Sequence, residues 1–263
     1  MERYQEEKLN ENIAIDVKNV KVSFHQLKHM SIHQMIRNPA FGKTDLIEAL
    51  RGVTFSVEHG EIVGIIGKNG SGKTTLLKTI SGIIQPDSGS VYTGRQRVSL
   101  MSLGAGFKDA ATGRDNIMIS GMLMDYPASY VKEKMDEIIE FSEIADFIDR
   151  PVRTYSSGMY AKLSFAITAI LEMDVMLVDE ILSVGDEHFQ QKSFDRMRDL
   201  ITNEKRTGLI VSHDLDPLRD LCGRVIWLHD GVVRMDGGTD EVIDAYCEFM
   251  KYDESDKGET WQG

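Results

Sequence analysis

Short apolar segments alternate along this chain with segments of helical periodicity. Runs of four to six mostly apolar residues predict buried strands, and a longer alternating stretch near the start predicts edge or hairpin strands. This alternation of strand and helix patterns is typical of an α/β fold. The predicted strands are AIDVKNVKVSF, VTFSV, EIVGII, DVMLVD, TGLIVS and RVIWLHD.

The middle of the chain, about residues 105–165, has a different pattern. Apolar residues recur at helical spacing within ASYVKEKMDEIIEF, and Pro151 ends the short helix predicted after them. This segment is therefore predicted to be a mainly helical insertion in the α/β core. The residues that share the helical spacing are Val131, Met135, Ile138 and Ile139.

Both ends of the chain are polar and charged. Residues 1–12 and 251–263 are predicted to be disordered tails, and residues 13–250 a single domain. Within that domain, GKTTLLKTISGI predicts a helix that ends at Gly82. The Asp-Gly pair between the apolar runs of RVIWLHDGVVRMDG predicts a β-hairpin.

The composition narrows the function classes. The 263 residues include 30 Lys and Arg against 42 Asp and Glu, a net charge of −12. Such a surface argues against nonspecific nucleic-acid binding, so no nucleic-acid partner is expected. The two cysteines, Cys222 and Cys247, have neither metal nor redox spacing and are expected to be ordinary thiols.

No membrane segment is expected from the sequence. No apolar run approaches the ~18–20 residues that a membrane helix needs. The N-terminus, MERYQEEKLNEN, lacks an apolar signal-peptide core. We therefore expect a chain exposed to the cytosol that contacts a membrane only through a partner.

The segment GKNGSGKT, residues 67–74, matches G-x-x-x-x-G-K-[ST] and lies between a predicted strand and a predicted helix. Its glycines let backbone N–H groups point inward at phosphates, Lys73 can neutralise phosphate charge, and the hydroxyl of Thr74 can bind Mg²⁺. The alternative is an ordinary glycine-rich turn before a helix. The predicted nucleotide-binding residues of this loop are Gly67, Lys68, Asn69, Gly70, Ser71, Gly72, Lys73, Thr74 and Thr75.

Two further polar sites follow predicted strands. Asp179 and Glu180 end DVMLVDE, where Asp179 can hold Mg²⁺ through water and Glu180 can activate the attacking water. A strand beside that of the phosphate loop would bring them to it, and the alternative is a solvated acidic turn. His213 follows the strand TGLIVS and could contact the γ-phosphate, with a loop-capping histidine as the alternative.

The stretch TYSSGMYAKLSFAIT, residues 154–168, predicts a helix that begins with small polar residues and without carboxylates. The free N–H groups of such a helix start suit an anion.

The order of these motifs, from phosphate loop through YSSGM and acidic strand to His213, resembles the ATP-binding cassette (ABC) family over about residues 13–250. The resemblance implies a P-loop NTPase (RecA-like) core with an antiparallel β subdomain and a helical insertion, and ATP and Mg²⁺ as ligands. It implies that YSSGM stands for the family's LSGGQ and binds the ATP of a second copy packed head to tail. The residues it assigns are Ser156, Ser157, Gly158 and Met159 in the signature, Ser183 and Asp186 in the D-loop, and Phe24 stacked on adenine. For Phe24, a core residue is the alternative.

The segments TYSSGMYAKLSFA and VDEILSVGDEHFQQK look like ATPase subunits that export lipid-linked polysaccharides such as teichoic acid, O-antigen or galactan. That likeness implies a polytopic permease, expected in two copies, which holds the chain at the cytoplasmic face of the membrane. The sequence departs from the family at Leu103, where the register places the usual glutamine ligand of Mg²⁺ and water. That ligand role is left unassigned.

Residues 25–48 replace what is a short turn in an ordinary cassette. A short helix that stops before Pro39, followed by a loop, is predicted. The insert is either a surface elaboration or a gate at which Lys28, Arg37 and Lys43 meet a lipid-linked pyrophosphate.

Three alternatives to the exporter ATPase remain open from the residues. The chain could be a non-transport cassette of the translation-factor or repair type, a nucleotide-gated binding module that hydrolyses ATP poorly, or an ABC subunit for another cargo.

Overall fold

The computed structural model describes residues 12–26, 45–94, 96–101, 106–171, 173–179, 185–202, 206–212 and 214–256. These residues form a smaller antiparallel sheet, a larger mostly parallel sheet and a helical subdomain. The strands are β1 (Ile13–Gln26), β2 (Asp45–Glu58), β3 (Ile62–Ile66), β4 (Ser88–Tyr92), β5 (Val98–Met101), β6 (Val175–Asp179), β7 (Thr207–Val211), β8 (Arg224–His229) and β9 (Val232–Gly238).

The α-helices within these residues have the following bounds: α1 (Lys73–Ile80), α2 (Gly113–Leu123), α3 (Ala128–Glu133), α4 (Met135–Ser142), α5 (Ser157–Ile170), α6 (Glu187–Thr202), α7 (Asp216–Leu221) and α8 (Thr239–Asp256). Single 3₁₀ turns at Ala145–Phe147 and Val152–Thr154 lead from α4 to α5. No helix of the described ranges combines the length and the apolar character needed to cross a bilayer.

The larger sheet has the strand order β5-β6-β7-β3-β8-β9, in which all neighbours are parallel except β8 and β9. Its central strands β3 and β7 are buried at every position, because helices cover one face and the smaller sheet with α1 covers the other. Alternate residues of β3 divide between the two cores: Ile62 and Ile66 pack toward Phe165 and Phe189, whereas Val63 and Ile65 pack toward Leu76 and Leu77.

The smaller sheet has the order β2-β1-β4, and β1 pairs with β2 along its whole length, from Ile13 opposite Glu58 to Gln26 opposite Asp45. VTFSV is therefore only the inner part of a longer strand. Residues 25–26 and 45–48, assigned to an insert from the sequence, continue this pairing as strand. The rest of the predicted insert, residues 27–44, lies outside the described residues.

The helical subdomain has its own core within the predicted range 105–165. Ile117, Val131, Ile138 and Ile148 are buried there against Leu163 of α5. Helix α5 also supplies Ala161, Phe165 and Ala169 to the core of the larger sheet. One face of α5 therefore belongs to the subdomain and the other to the sheet, so the helix joins the two.

One predicted boundary was wrong. Helix α8 continues to Asp256, so residues 251–256, which the sequence assigned to a disordered tail, are helical. The segment from Thr239 to Asp256 contains no Gly or Pro that would end the helix. Val242 and Ile243 are fully buried and anchor its first turns.

Candidate nucleotide-binding site

The glycine-rich loop runs from the end of β3 at Ile66 to the start of α1 at Lys73. Gly67 lies so close to β8 that a Cβ atom would be 2.1 Å from the carbonyl oxygen of Leu228. Gly72 caps α1 with a φ of 104°, and a Cβ atom there would be 2.6 Å from the carbonyl oxygen of Ala49. Only glycine fits at either position, so neighbouring strands force the tight turn of the loop.

Lys73 is buried at the centre of this turn, with 6% of its surface exposed. Its ammonium donates hydrogen bonds to the carbonyl oxygens of Gly67 at 2.7 Å and Lys68 at 3.1 Å. The first turn of α1 contains no acidic residue. A buried cation beside the free N–H groups of a helix start forms a cradle for a polyphosphate.

An open cavity of about 640 Å³ lies in front of this cradle. It brings together residues that the sequence had separated by more than a hundred positions. The residues that line it are Phe24, Ala49, Asn69, Gly70, Gly72, Lys73, Thr74, Thr75 and Asp179.

The remaining predicted loop residues lie around the cavity without lining it. The ammonium of Lys68 lies 5.0 Å from the ring centre of Phe249 on α8, so its side chain turns away from the cavity and only its backbone belongs to the loop. Ser71 is buried, and its hydroxyl finds no hydrogen-bond partner among the described residues. Its carbonyl accepts a hydrogen bond from Gly231 N at 3.1 Å, which ties the loop to the β8–β9 turn.

The expectation that the acidic strand lies directly beside the phosphate-loop strand was wrong. Strand β7 lies between β3 and β6. Asp179 still reaches the cavity because these strands are parallel and in register: Ile65 of β3 and Asp179 of β6 both pair with Val211 of β7. The carboxyl ends of parallel strands share one edge of a sheet, so an intervening strand does not remove Asp179 from the site.

The donors that face the cavity fit Mg²⁺. The hydroxyl of Thr74 and the carboxylate of Asp179, which both line it, are hard oxygen donors. No group of three or more His, Cys, Asp or Glu side chains within the described ranges could hold a metal alone. A site of this kind suits a magnesium ion that takes most of its ligands from water and phosphate oxygens.

Phe24 is 42% exposed on β1 and lines the cavity, so the alternative of a core residue does not match its surroundings. Ala49 lies in the same wall and was missed by the sequence analysis, because a single alanine in a strand carries no chemical signal. The pairing of β1 with β2 sets Phe24 opposite Ile47, two residues before Ala49, and so brings both to one cavity.

Three predicted functional residues, Glu180, Ser183 and His213, lie outside the described residues, and their roles stay predictions from the sequence. Leu103, where the sequence departs from the family, lies outside them as well.

The YSSGM segment begins α5 as predicted. The hydroxyl of Ser156 caps the helix by accepting a hydrogen bond from Met159 N at 3.2 Å, and the first turn carries no acidic residue. Ser156, Ser157, Gly158 and Met159 line a second cavity of about 510 Å³, together with Asp186. This cavity shares no lining residue with that of Lys73, so the chain does not bring its own signature to its own phosphate loop.

The signature is held by the segment before it. Tyr155 donates a hydrogen bond from its hydroxyl to the carbonyl oxygen of Phe147 at 2.9 Å. Val152 and Arg153 donate from their backbone N–H groups to the carbonyl oxygens of Ala111 and Asp109, both at 2.9 Å. Backbone hydrogen bonds thus join the first residues of the helical subdomain to the segment that leads into α5.

The cysteines are consistent with ordinary thiols. Cys222 is buried beside β3, and this burial raises the pKa of its thiol to about 12. Cys247 is partly buried on α8. Neither thiol lines the cavity of Lys73.

Comparison with known proteins agrees with the geometry. A family model described as ABC transporter matches residues 50–183. The chain is 45% identical over 210 residues to the O-antigen export system ATP-binding protein RfbB of Myxococcus xanthus, covering 80% of this chain and 48% of that protein. It is 39% identical over 243 residues to the teichoic acids export ATP-binding protein TagH of Listeria monocytogenes serotype 4b, covering 89% and 72%. The chain thus spans about half the length of the first relative and more of the second.

Solved structures show the same fold. A dimeric post-hydrolysis state of an ATP-binding cassette bound to ADP and Pi matches with a TM-score of 0.70 at 20% identity, over 86% of this chain and 98% of that one. The ATP-binding subunit of an ABC transporter matches with the same TM-score and identity, over 89% and 93%. The similarity in sequence, the shared fold and the phosphate cradle all point to one family. The chain belongs to the ABC transporter family.

Proposed function

We propose that this chain is the ATP-hydrolysing subunit of an ABC exporter that moves a lipid-linked polysaccharide across the cytoplasmic membrane. The observation that carries the ATPase assignment is the cavity in which Lys73, Thr74, Asp179 and Phe24 meet. The polysaccharide assignment rests on the relatives, which are named for O-antigen and teichoic acid export. A polymer of the teichoic acid, O-antigen or galactan type is the proposed cargo.

ATP would lie with its phosphates in the loop and its adenine toward β1. Lys73 and the N–H groups at the start of α1 bind the β- and γ-phosphates, and the exposed ring of Phe24 stacks on the base. Thr74 and Asp179 hold Mg²⁺, which when bound neutralises phosphate charge. Glu180, directly after Asp179, orients and deprotonates the attacking water, and His213 contacts the γ-phosphate.

A second copy of the chain completes the site. The signature surface and the phosphate cavity have no residue in common, although the bare start of α5 suits an anion. In a head-to-tail pair, Ser156, Ser157, Gly158 and Met159 of one copy would close over the ATP of the other. Ser183 and Asp186 would lie beside them as the D-loop.

Gly158 tests this arrangement because it has no structural need to be glycine. Among the described residues, apart from its chain neighbours and the backbone of its own helix, a Cβ atom there would meet only the Ser156 hydroxyl within 4 Å, at 3.9 Å. Gly158→Ala is expected to stabilise the chain by about 0.5–1 kcal/mol, since alanine favours the helix. The same change should lower ATP turnover, because the added methyl group faces the partner's nucleotide.

Urea unfolding and steady-state ATPase assays measure the two effects. Gly121→Ala is the control for a glycine that the fold requires. Its Cβ atom would be 2.4 Å from Val131, so this change should destabilise the helical subdomain by about 1–3 kcal/mol. Full turnover by a stabilised Gly158→Ala variant would contradict the shared site.

The partners follow from the same proposal. A polytopic permease, expected in two copies, would hold the pair at the cytoplasmic face of the membrane. The insert, now limited to residues 27–44 between β1 and β2, stays predicted to be either a surface elaboration or a gate for the lipid-linked substrate. Nucleic acid is not a proposed partner of so acidic a chain.

Export in the producing cell tests the function. Cells without this chain should retain lipid-linked polysaccharide on the cytosolic side, and the wild-type gene should restore export. Lys73→Ala should fail to restore it, whereas Lys78→Ala, a change in the last turn of the same helix, should succeed. Undisturbed polysaccharide export in cells without the chain would exclude this cargo.

A further inference from the structure

A cluster of ion pairs lies behind the signature turn. The ammonium of Lys162 on α5 is 2.7 Å from Asp186 Oδ2 and 3.2 Å from Glu143 Oε2. Glu143 also receives the ammonium of Lys192 on α6 at 2.9 Å, and His188 Nδ1 lies 3.7 Å from it. Lys162 therefore joins the end of α4, the start of α6 and the signature helix.

The cluster accounts for several residues of the SVGDEHFQQK motif. Gly185 has a φ of 85°, and a Cβ atom there would be 3.3 Å from Lys162 Cε and 3.2 Å from Phe189. Phe189 is fully buried, and the Lys162 ammonium lies 4.9 Å from its ring centre. The motif thus supplies a backbone turn, a ring and charges that all surround Lys162.

The central cation of the cluster is largely buried, whereas its partner Asp186 is exposed. The side chain of Lys162 is 14% exposed, against 61% for Asp186. Burial raises the pKa of Glu143, but hydrogen bonds from Lys192 and Lys162 outweigh it, and the pKa lies below its ordinary value. Burial lowers the pKa of Lys162, and hydrogen bonds to Asp186 and Glu143 reverse this effect. The lowered pKa of Glu143 and Asp186 and the raised pKa of Lys162 keep these three groups charged at neutral pH.

The cluster lies at the surface that the proposed dimer would use. Glu143, Lys162, Gly185 and Asp186 line the same cavity as the signature residues. Lys162 follows Gly158 by four residues, so both lie on the same face of α5. Asp186 has a second bond, in which its Oδ1 accepts from Phe189 N at 3.0 Å and caps α6.

We propose that Lys162 is a positioning residue that fixes the D-loop and the helical subdomain relative to the signature, so that one rigid surface meets the second copy. The inference rests on the proposed head-to-tail dimer. Glu143 anchors the subdomain side of this surface from the end of α4, and Asp186 anchors the D-loop side. Lys162 is not required for the phosphate cavity, which it does not line.

Dimer formation with MgATP separates this role from nucleotide binding. In a Glu180→Gln background, which is expected to hold uncut ATP, Lys162→Met should weaken dimerisation about tenfold or more by sedimentation. ATP binding to the separate chain should stay unchanged, and Lys162→Arg should recover most of the dimer. Lys134→Met is the matched control, because its ammonium pairs with Glu137 at 2.9 Å on the subdomain surface.

A second variant covers the case in which Lys162→Met folds poorly. Asp186→Asn keeps an acceptor for Phe189 N but loses the charge and the second oxygen that pairs with Lys162, so it should also weaken the dimer. The double variant should be little weaker than either single one. If both single variants dimerise as strongly as the Lys134→Met control, the role of Lys162 is overturned and the proposed dimer still stands. If the Glu180→Gln parent itself forms no dimer, the proposed dimer and the role of Lys162 are overturned together.

Discussion

Replacing Glu180 with Gln is expected to lower ATP turnover by about 10²–10⁴-fold while ATP still binds. An amide cannot take the proton of the attacking water, whereas Lys73, Thr74 and Asp179, which line the phosphate cavity, are unchanged. Because uncut ATP would remain between two chains, the variant should also form a stable dimer in MgATP. Steady-state ATPase assays and sedimentation measure the two effects.

The matched control is Glu187→Gln. Glu187 is an exposed carboxylate in the first turn of α6, a few residues further along the chain. Its variant should keep the turnover of the wild type. Near-normal turnover by Glu180→Gln would show that another group activates the water.

A mixed dimer of Lys73→Ala and Gly158→Asp chains is expected to keep part of its ATP turnover, although each variant alone should be inactive. If each site takes its phosphate loop from one copy and its signature from the other, this pair has one intact site and one doubly broken site. A carboxylate at Gly158 would repel the partner's phosphates, and loss of Lys73 removes the buried cation.

The control carries the same two changes on one chain instead of on two. When Lys73→Ala and Gly158→Asp are on one chain and the other chain is wild type, neither shared site is intact. Mixed dimers isolated with two different tags should therefore be active in the first arrangement and inactive in the second. Equal turnover in both arrangements would show that each chain hydrolyses ATP alone.

Local features of the fold were predictable from the sequence. The Asp-Gly pair predicted the β8–β9 hairpin, and Asp230 and Gly231 indeed take positive φ values of 48° and 76°. The phosphate loop and the start of α5 at Ser156 were likewise predicted from short motifs. Each depends on glycines, caps and neighbours a few residues apart.

Features that depend on pairing between distant segments were predicted less well. The strand β2 is longer than VTFSV because its first half, DLIEALRG, pairs with β1, which lies before residues 27–44 in the chain. The position of β7 between β3 and β6 was not foreseen, since apolar runs do not encode which buried strands are neighbours. Ala49 and Lys162 were missed because their roles depend on contacts far along the chain.

The sequence alone indicated the family and the α/β class, and it predicted which residues carry the chemistry, because motif spacing is local and each motif needs particular residue types. The tertiary structure decided which of these residues meet. It placed Phe24 and Asp179 at one cavity with Lys73, and it placed the signature and Asp186 at another. Strand order and helix packing set those distances through buried apolar contacts between segments a hundred residues apart. Such contacts are a property of the folded chain, which is why the separation of the signature from the phosphate loop, at two different cavities, is visible only in three dimensions.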